Sequence, residues 1–139
     1  MNDCIFCKII KNDMPSSKVY EDDDVLAFLD IAPAAKGHTL VIPKNHYETL
    51  DEVPDEVLHK IISVVKKVSK AIMSDAQGFN VLQSNKKVAG QFVPHVHFHI
   101  IPRHEDDGLT LAHWHSLKYE EGEMQKFQNK LSEAISKNI

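Results

Sequence analysis

Cysteine is scarce: in 139 residues it occurs only as Cys4 and Cys7. A disulfide between such near neighbours would close a loop too small to stabilise much, so a disulfide-stapled fold is excluded and metal ligation or free thiols remain. Long hydrophobic runs are missing too, and no stretch approaches the ~18 apolar residues of a membrane span. The opening residues Met1-Asn2-Asp3-Cys4-Ile5-Phe6-Cys7-Lys8 hold no basic leader, no apolar signal core and no cleavage site, which points to a cytoplasmic protein without a membrane partner. Positive charge is not in excess either. The net charge is −4 and the lysines are scattered, so no basic stripe marks a nucleic-acid footprint. Neither G-x-x-x-x-G-K-[ST] nor G-x-G-x-x-G occurs, which removes a P-loop and a Rossmann phosphate site.

What is present is an apolar content of 42% over 139 residues, enough for one domain with one core, so a single domain over 1–139 is expected. "KVYEDDDVLAFLD" (18–30) reads as a hairpin around an acidic turn, with Tyr20, Val25, Ala27 and Leu29 alternating. A loop over 31–37 leads to a strand over 38–43 that ends at Pro43. Acidic and proline start signals at 51–55 precede an apolar stripe at helical spacing over 57–72. Strands follow at 79–84 and 95–101, separated by a polar loop at 85–90, and Met124, Phe127, Leu131 and Ile135 mark a C-terminal helix over 123–135. Five strands joined by hairpin-length connections, with one central and one C-terminal helix, predict an α+β fold with an antiparallel sheet.

Histidine is abundant, at nine positions, and three of these alternate in "PHVHFHIIPR" (94–103). On a strand, His95, His97 and His99 project from one face while Val96, Phe98 and Ile100 turn to the core. Same-face neighbours lie roughly 6–7 Å apart, too far for one zinc held at ~2.0–2.1 Å per nitrogen to use all three, so the imidazoles divide into roles. A neutral imidazole whose Nδ1–H bonds a carbonyl presents the Nε2 lone pair as a nucleophile, and the middle residue, His97, is the candidate. Gly90 permits close backbone approach, and the turn from Ala89 to Val93 could aim N–H groups at an anion.

With these residues in view, the chain resembles the histidine-triad superfamily, in the branch of the histidine-triad nucleotide-binding proteins. "CIFCKII", "VYEDDDVLAFLDIAP", "KGHTLVIPKNH" and "AGQFVPHVHFHIIPR" stand in that family's order and spacing over nearly the whole chain. The resemblance implies a HIT-like fold and a hydrolase acting on purine nucleoside 5′-phosphoramidates, or related compounds such as dinucleoside polyphosphates, with AMP or GMP derivatives as substrates. It makes His97 the nucleophile at the α-phosphorus and His99 and His38 the groups that handle charge and protons around the phosphoryl group. The carbonyl of His95 fixes the tautomer of His97. Asp30 takes the ribose hydroxyls, and Ile5, Phe6, Ile9, Phe28, Ile31 and Leu40 wall the base pocket. Ser84, Gly90, Gln91 and Val93 map to the phosphate side. Phe92 stands where relatives have a small hydroxyl or acidic residue, Lys86 where glycine is common, and Ser84 where relatives have Asn or Gln.

Cys4-x-x-Cys7 is half of a tetrahedral zinc site and needs two further ligands. The resemblance supplies them as His46 and His95, giving a closed structural zinc that the chemistry does not need; unmetallated thiols are the other reading. No organic cofactor is expected. The resemblance also implies a homodimer. Trp114 reads as a packing residue, and His104, His113 and His115 as surface groups. A nucleotide-binding regulatory module with little turnover is the rival function, and a metal-dependent hydrolase lacks carboxylates at readable spacing.

Overall fold

The computed structural model describes residues 3–111 and 115–137, and the chain falls into two compact units, Met1–Leu109 and Thr110–Ile139. The first unit holds helix α1 (Ile5–Ile10), strands β1 (Lys18–Glu21), β2 (Val25–Leu29) and β3 (Thr39–Pro43), helix α2 (Asp55–Ile72), and strands β4 (Gly78–Gln83) and β5 (Phe98–Arg103). The sheet order is β1-β2-β3-β5-β4 and every pairing is antiparallel, as the α+β reading expects. The acidic turn of the first hairpin closes on Asp22, whose Oδ1 accepts the N–H groups of Asp24 and Val25 at 2.8 Å each.

Both faces of the sheet are covered at its inner strands β2 and β3. On one face Val25, Ala27, Val41, Phe98 and Ile100 pack with Ile61, Val64, Val65 and Val68 of α2, each of the valine, isoleucine and phenylalanine side chains contributing about 1.5–3 kcal/mol by leaving water. On the other face Leu26, Phe28, Leu40 and Ile42 receive Cys4, Phe6 and Ile9 from the N-terminal segment. This second layer is why β2, expected to alternate, is buried at every position from Val25 to Phe28, as β3 is throughout: a strand covered on both faces has no polar side to alternate. Leu29, expected to continue the alternation inward, is instead exposed at the strand's end. The helix α1 has only six residues, too few to leave a helical period in the sequence.

The strand containing the triad differs from the expected 95–101. It starts at Phe98, and its register with β3 pairs Val41 with Phe98. Two steps further that register would set Val96 opposite Pro43, which has no N–H to give. Val96 donates instead to the carbonyl of Tyr47 at 2.7 Å, and the chain leaves the ladder. His95 and His97 therefore precede the strand and only His99 lies within it.

The second unit contains α3 (Glu123–Lys137), where Met124, Phe127, Leu131 and Ile135 recur on one face and are exposed. Among the described residues no helix is long and apolar enough to cross a membrane.

Candidate active site

His97 is buried, and its Nδ1–H donates to the carbonyl of His95 at 2.7 Å. That bond assigns the neutral tautomer with its lone pair on Nε2, as expected for a nucleophile. Burial holds the His97 imidazole below its ordinary pKa, against the opposing effects of the His95 carbonyl and Asp30. Phe6 meets the ring edge-on at 5.1 Å between centroids, and His99 flanks it at 4.9 Å.

A second chain of hydrogen bonds orients His99. The N–H of Ala34 donates to Nδ1 of His38 at 3.0 Å, so neutral His38 carries its proton on Nε2. That Nε2–H points at Nδ1 of His99, 2.9 Å away, which in turn leaves the His99 proton on its own Nε2. His99 is held laterally by register partners Leu40 and Leu82. Its pKa is lowered to about 4, first by burial and then by the neighbouring His97 and His38. His38 is likewise lowered by burial, with Asp30 opposing. Oδ2 of Asp30 lies 3.7 Å from Nε2 of His38, an electrostatic contact, while its Oδ1 accepts the N–H of Ala32 at 2.9 Å.

His95 belongs to a different group. Its Nε2–H donates to the carbonyl of Pro43 at 2.9 Å, which leaves Nδ1 as a lone pair. That nitrogen stands 3.5 Å from Sγ of Cys4, 3.6 Å from Sγ of Cys7 and 3.2 Å from Nδ1 of His46, and Cys7 Sγ is 3.3 Å from His46 Nδ1. Tetrahedral zinc at ordinary bond lengths needs edges of about 3.3 Å between two nitrogens and about 3.6 Å between nitrogen and sulfur. Burial, followed by Cys4, raises the Cys7 thiol above its ordinary pKa.

Asp30, His38 and His99 also bring ligand-type atoms within 4.8 Å of one another. Here the surrounding hydrogen bonds oppose a metal: Ala34 occupies Nδ1 of His38, so Nε2 holds a proton where a ligand needs a lone pair. The outer partner thus leaves His95 a free lone pair on Nδ1 and makes His38 a donor.

Of the expected base-pocket walls, Phe6, Ile9, Phe28 and Leu40 are brought together in one buried layer, with Phe6 and Phe28 edge-to-face at 5.5 Å. Ile5 is 40% exposed and Ile31 is 96% exposed, outside that layer. The turn before the triad needs correction. The N–H groups of Ala89, Gly90 and Gln91 are taken by the carbonyls of Lys86 and Lys87, which leaves Phe92 and Val93 as its donors for an anion. Gln91 turns inward: its Oε1 accepts from the N–H of Lys86 and its Nε2–H donates to the carbonyl of Glu48, each at 2.7 Å. Gly90 has φ +98, and a Cβ there would lie 3.9 Å from Oγ of half-buried Ser84. His104 and His115 are exposed; His113 and Trp114 lie outside the described residues. The sequence reading missed the roles of Ala34 and Pro43, because both act through backbone groups that leave no residue-type signal.

The HIT domain family model matches residues 11–106. A HIT-like protein of Methanocaldococcus jannaschii is 57% identical over 106 residues, covering 76% of this chain and 82% of its own length. The adenosine 5′-monophosphoramidase of Schizosaccharomyces pombe is 48% identical over 133 residues, or 95% of this chain and 98% of the relative. Among solved structures, a HIT family member from Bacillus subtilis superposes with a TM-score of 0.88 at 45% identity, covering 94% of this chain and 96% of that one.

Proposed function

Given that the chain belongs to the HIT domain family, we propose that it hydrolyses purine nucleoside 5′-phosphoramidates or related nucleoside 5′-phosphoryl compounds through a nucleotidyl intermediate on His97. The observation that carries this reading is the 2.7 Å bond from His97 Nδ1 to the His95 carbonyl, which leaves an unprotonated Nε2 beside His99.

In the first step Nε2 of His97 attacks the α-phosphorus as the phosphorus–nitrogen bond to the leaving group breaks. The site's contribution to phosphoryl transfer is positioning and charge stabilisation. His99 presents Nε2–H as a hydrogen-bond donor, kept neutral by burial and by the donor from His38. The leaving nitrogen departs as a neutral amine with the proton it carries when the phosphoramidate is protonated on nitrogen. The N–H groups of Phe92 and Val93 serve the phosphoryl oxygens, and Asp30 serves the ribose hydroxyls. In the second step water attacks phosphorus, the bond to His97 breaks, the nucleotide leaves with the new oxygen, and one water proton passes to the nucleotide or to solvent. His97 returns to the neutral tautomer, its Nδ1–H still on the carbonyl.

Cys4, Cys7, His46 and His95 fit zinc by their spacing and by the lone pair that Pro43 leaves on His95. Zinc there would tie the N-terminal segment to the segment bearing the triad. Reduced thiols suit a cytoplasmic setting. A homodimer completes the reading: β4 is an edge strand with Phe79, Val81 and Leu82 exposed, and Ile62 is exposed on α2.

The test is to mix the protein with adenosine and guanosine 5′-phosphoramidates and follow the intact mass. Wild type should gain one nucleotidyl group and His97→Ala none. Equal turnover by both would end the proposal.

A further inference from the structure

The donor set Cys4, Cys7, His46 and His95 and the nucleophile His97 are joined by two routes. One is His95 itself. Its ring nitrogen lies in the donor set, while its carbonyl holds the proton of His97. The other runs through α1. Cys4 caps this helix, its Sγ accepting the N–H of Cys7 at 3.5 Å, and Cys7 lies in the helix's first turn. Between them in sequence is Phe6, whose ring stands edge-on to His95 at 5.9 Å and to His97 at 5.1 Å. Six residues cannot hold a helix by backbone bonding alone. The position of α1 therefore depends on burial of Phe6 and Ile9 and on whatever fixes its two thiols.

We propose that metal binding at Cys4, Cys7, His46 and His95 and nucleotide binding at His97 are reciprocally coupled, with Phe6 as the positioning residue that carries the coupling. The inference rests on the zinc and nucleotide readings above. Each ligand orders the same short helix: the metal through its thiols, the nucleotide through the apolar layer to which Phe6 belongs. Whichever binds second meets a helix already in place, so the coupling is positive. Linkage requires that each change the other's affinity by the same factor.

The experiment uses the full chain stripped of metal by dialysis. Zinc affinity is measured by competition with a chromophoric chelator, with and without saturating AMP, and AMP affinity by calorimetry, with and without zinc. Both dissociation constants should fall by one shared factor of at least about fivefold. Phe6→Leu keeps apolar bulk but removes the ring. Its zinc affinity without AMP should stay within about twofold of wild type, and AMP, raised to a concentration that calorimetry shows to saturate the variant, should no longer tighten it. Zinc uptake with an affinity indifferent to AMP in the wild type overturns the coupling and leaves the metal reading standing. Failure to take up zinc overturns both. Zinc uptake without AMP binding overturns the nucleotide reading and the coupling together. Full coupling in Phe6→Leu removes Phe6 from the role assigned to it, and should that variant not fold, the wild-type measurements decide.

Discussion

The direction of the hydrogen bond between His38 and His99 can be tested by substitutions that keep or remove the donor. In the His38→Gln variant the new amide oxygen can accept from Ala34, as Nδ1 does at 3.0 Å, and the amide nitrogen can donate to His99, as Nε2 does at 2.9 Å. The Ala34 N–H also fixes which end of the amide points where. His38→Leu preserves bulk in a site where His38 is buried, but offers neither group. Losing the donor leaves Nδ1 of His99 without its partner, and a half-buried imidazole so placed turns or takes the other tautomer. An unsatisfied buried polar group costs about 1–3 kcal/mol. If that cost falls on the state in which His99 presents Nε2–H, the rate of adduct formation drops about 5- to 150-fold. The assay is single-turnover formation of the adenylyl adduct from adenosine 5′-phosphoramidate, with the melting temperature recorded to separate folding from chemistry. His38→Gln should retain most of the wild-type rate and His38→Leu should lose it. Equal rates in the two folded variants would refute the role given to His38, because leucine offers His99 no donor at all.

Two further outcomes follow from the same geometry. His38 and His99 are held below the ordinary imidazole range by burial, His99 at about 4, so their unfolded forms take up protons first as pH falls. Stability from this source is complete above about pH 6.5, and is lost as pH falls from there toward about 4, where folded His99 also protonates. Urea midpoints measured between neutral pH and about pH 5 should decrease, and an unchanged midpoint would contradict the burial argument. Lys86 has φ 74 and ψ 154, a region close to glycine-only, and bonds to Gln91 keep it there. Such strain costs about 1–3 kcal/mol, so Lys86→Gly should raise the melting temperature by a few degrees, less whatever glycine's added freedom in the unfolded chain removes. A fall would show that the loop is not strained.

Element types were readable because their causes lie in residue type. The stripe of α2, the acidic turn closed by Asp22 and the apolar runs of β2 and β3 each follow from side chains near one another in sequence. The start of β5 was not readable, because it depends on Pro43, which the register of β3 with β5 would set opposite Val96 if the ladder ran on. Gln91 illustrates the same limit. The sequence places it beside the phosphate turn, but only the fold brings the Glu48 carbonyl within reach and turns its amide inward. Residue type identified the histidines as chemical groups, and their backbone partners then decided which nitrogen of each is free.

That dependence explains how three imidazoles in one motif avoid acting alike. Alternation alone would give His95, His97 and His99 equivalent positions, and nothing in period two says which nitrogen of each is free. Pro43 breaks the equivalence twice: it ends the ladder so that His95 and His97 precede the strand, and its carbonyl takes the Nε2–H of His95. The His95 carbonyl then takes the Nδ1–H of His97, which frees the opposite nitrogen. For His99 the donor from His38 exposes Nε2–H instead of a lone pair. A free lone pair on Nδ1, a free lone pair on Nε2 and a donor N–H thus arise from one side-chain type. The separation rests on a proline without an N–H and on the order in which successive carbonyls are filled.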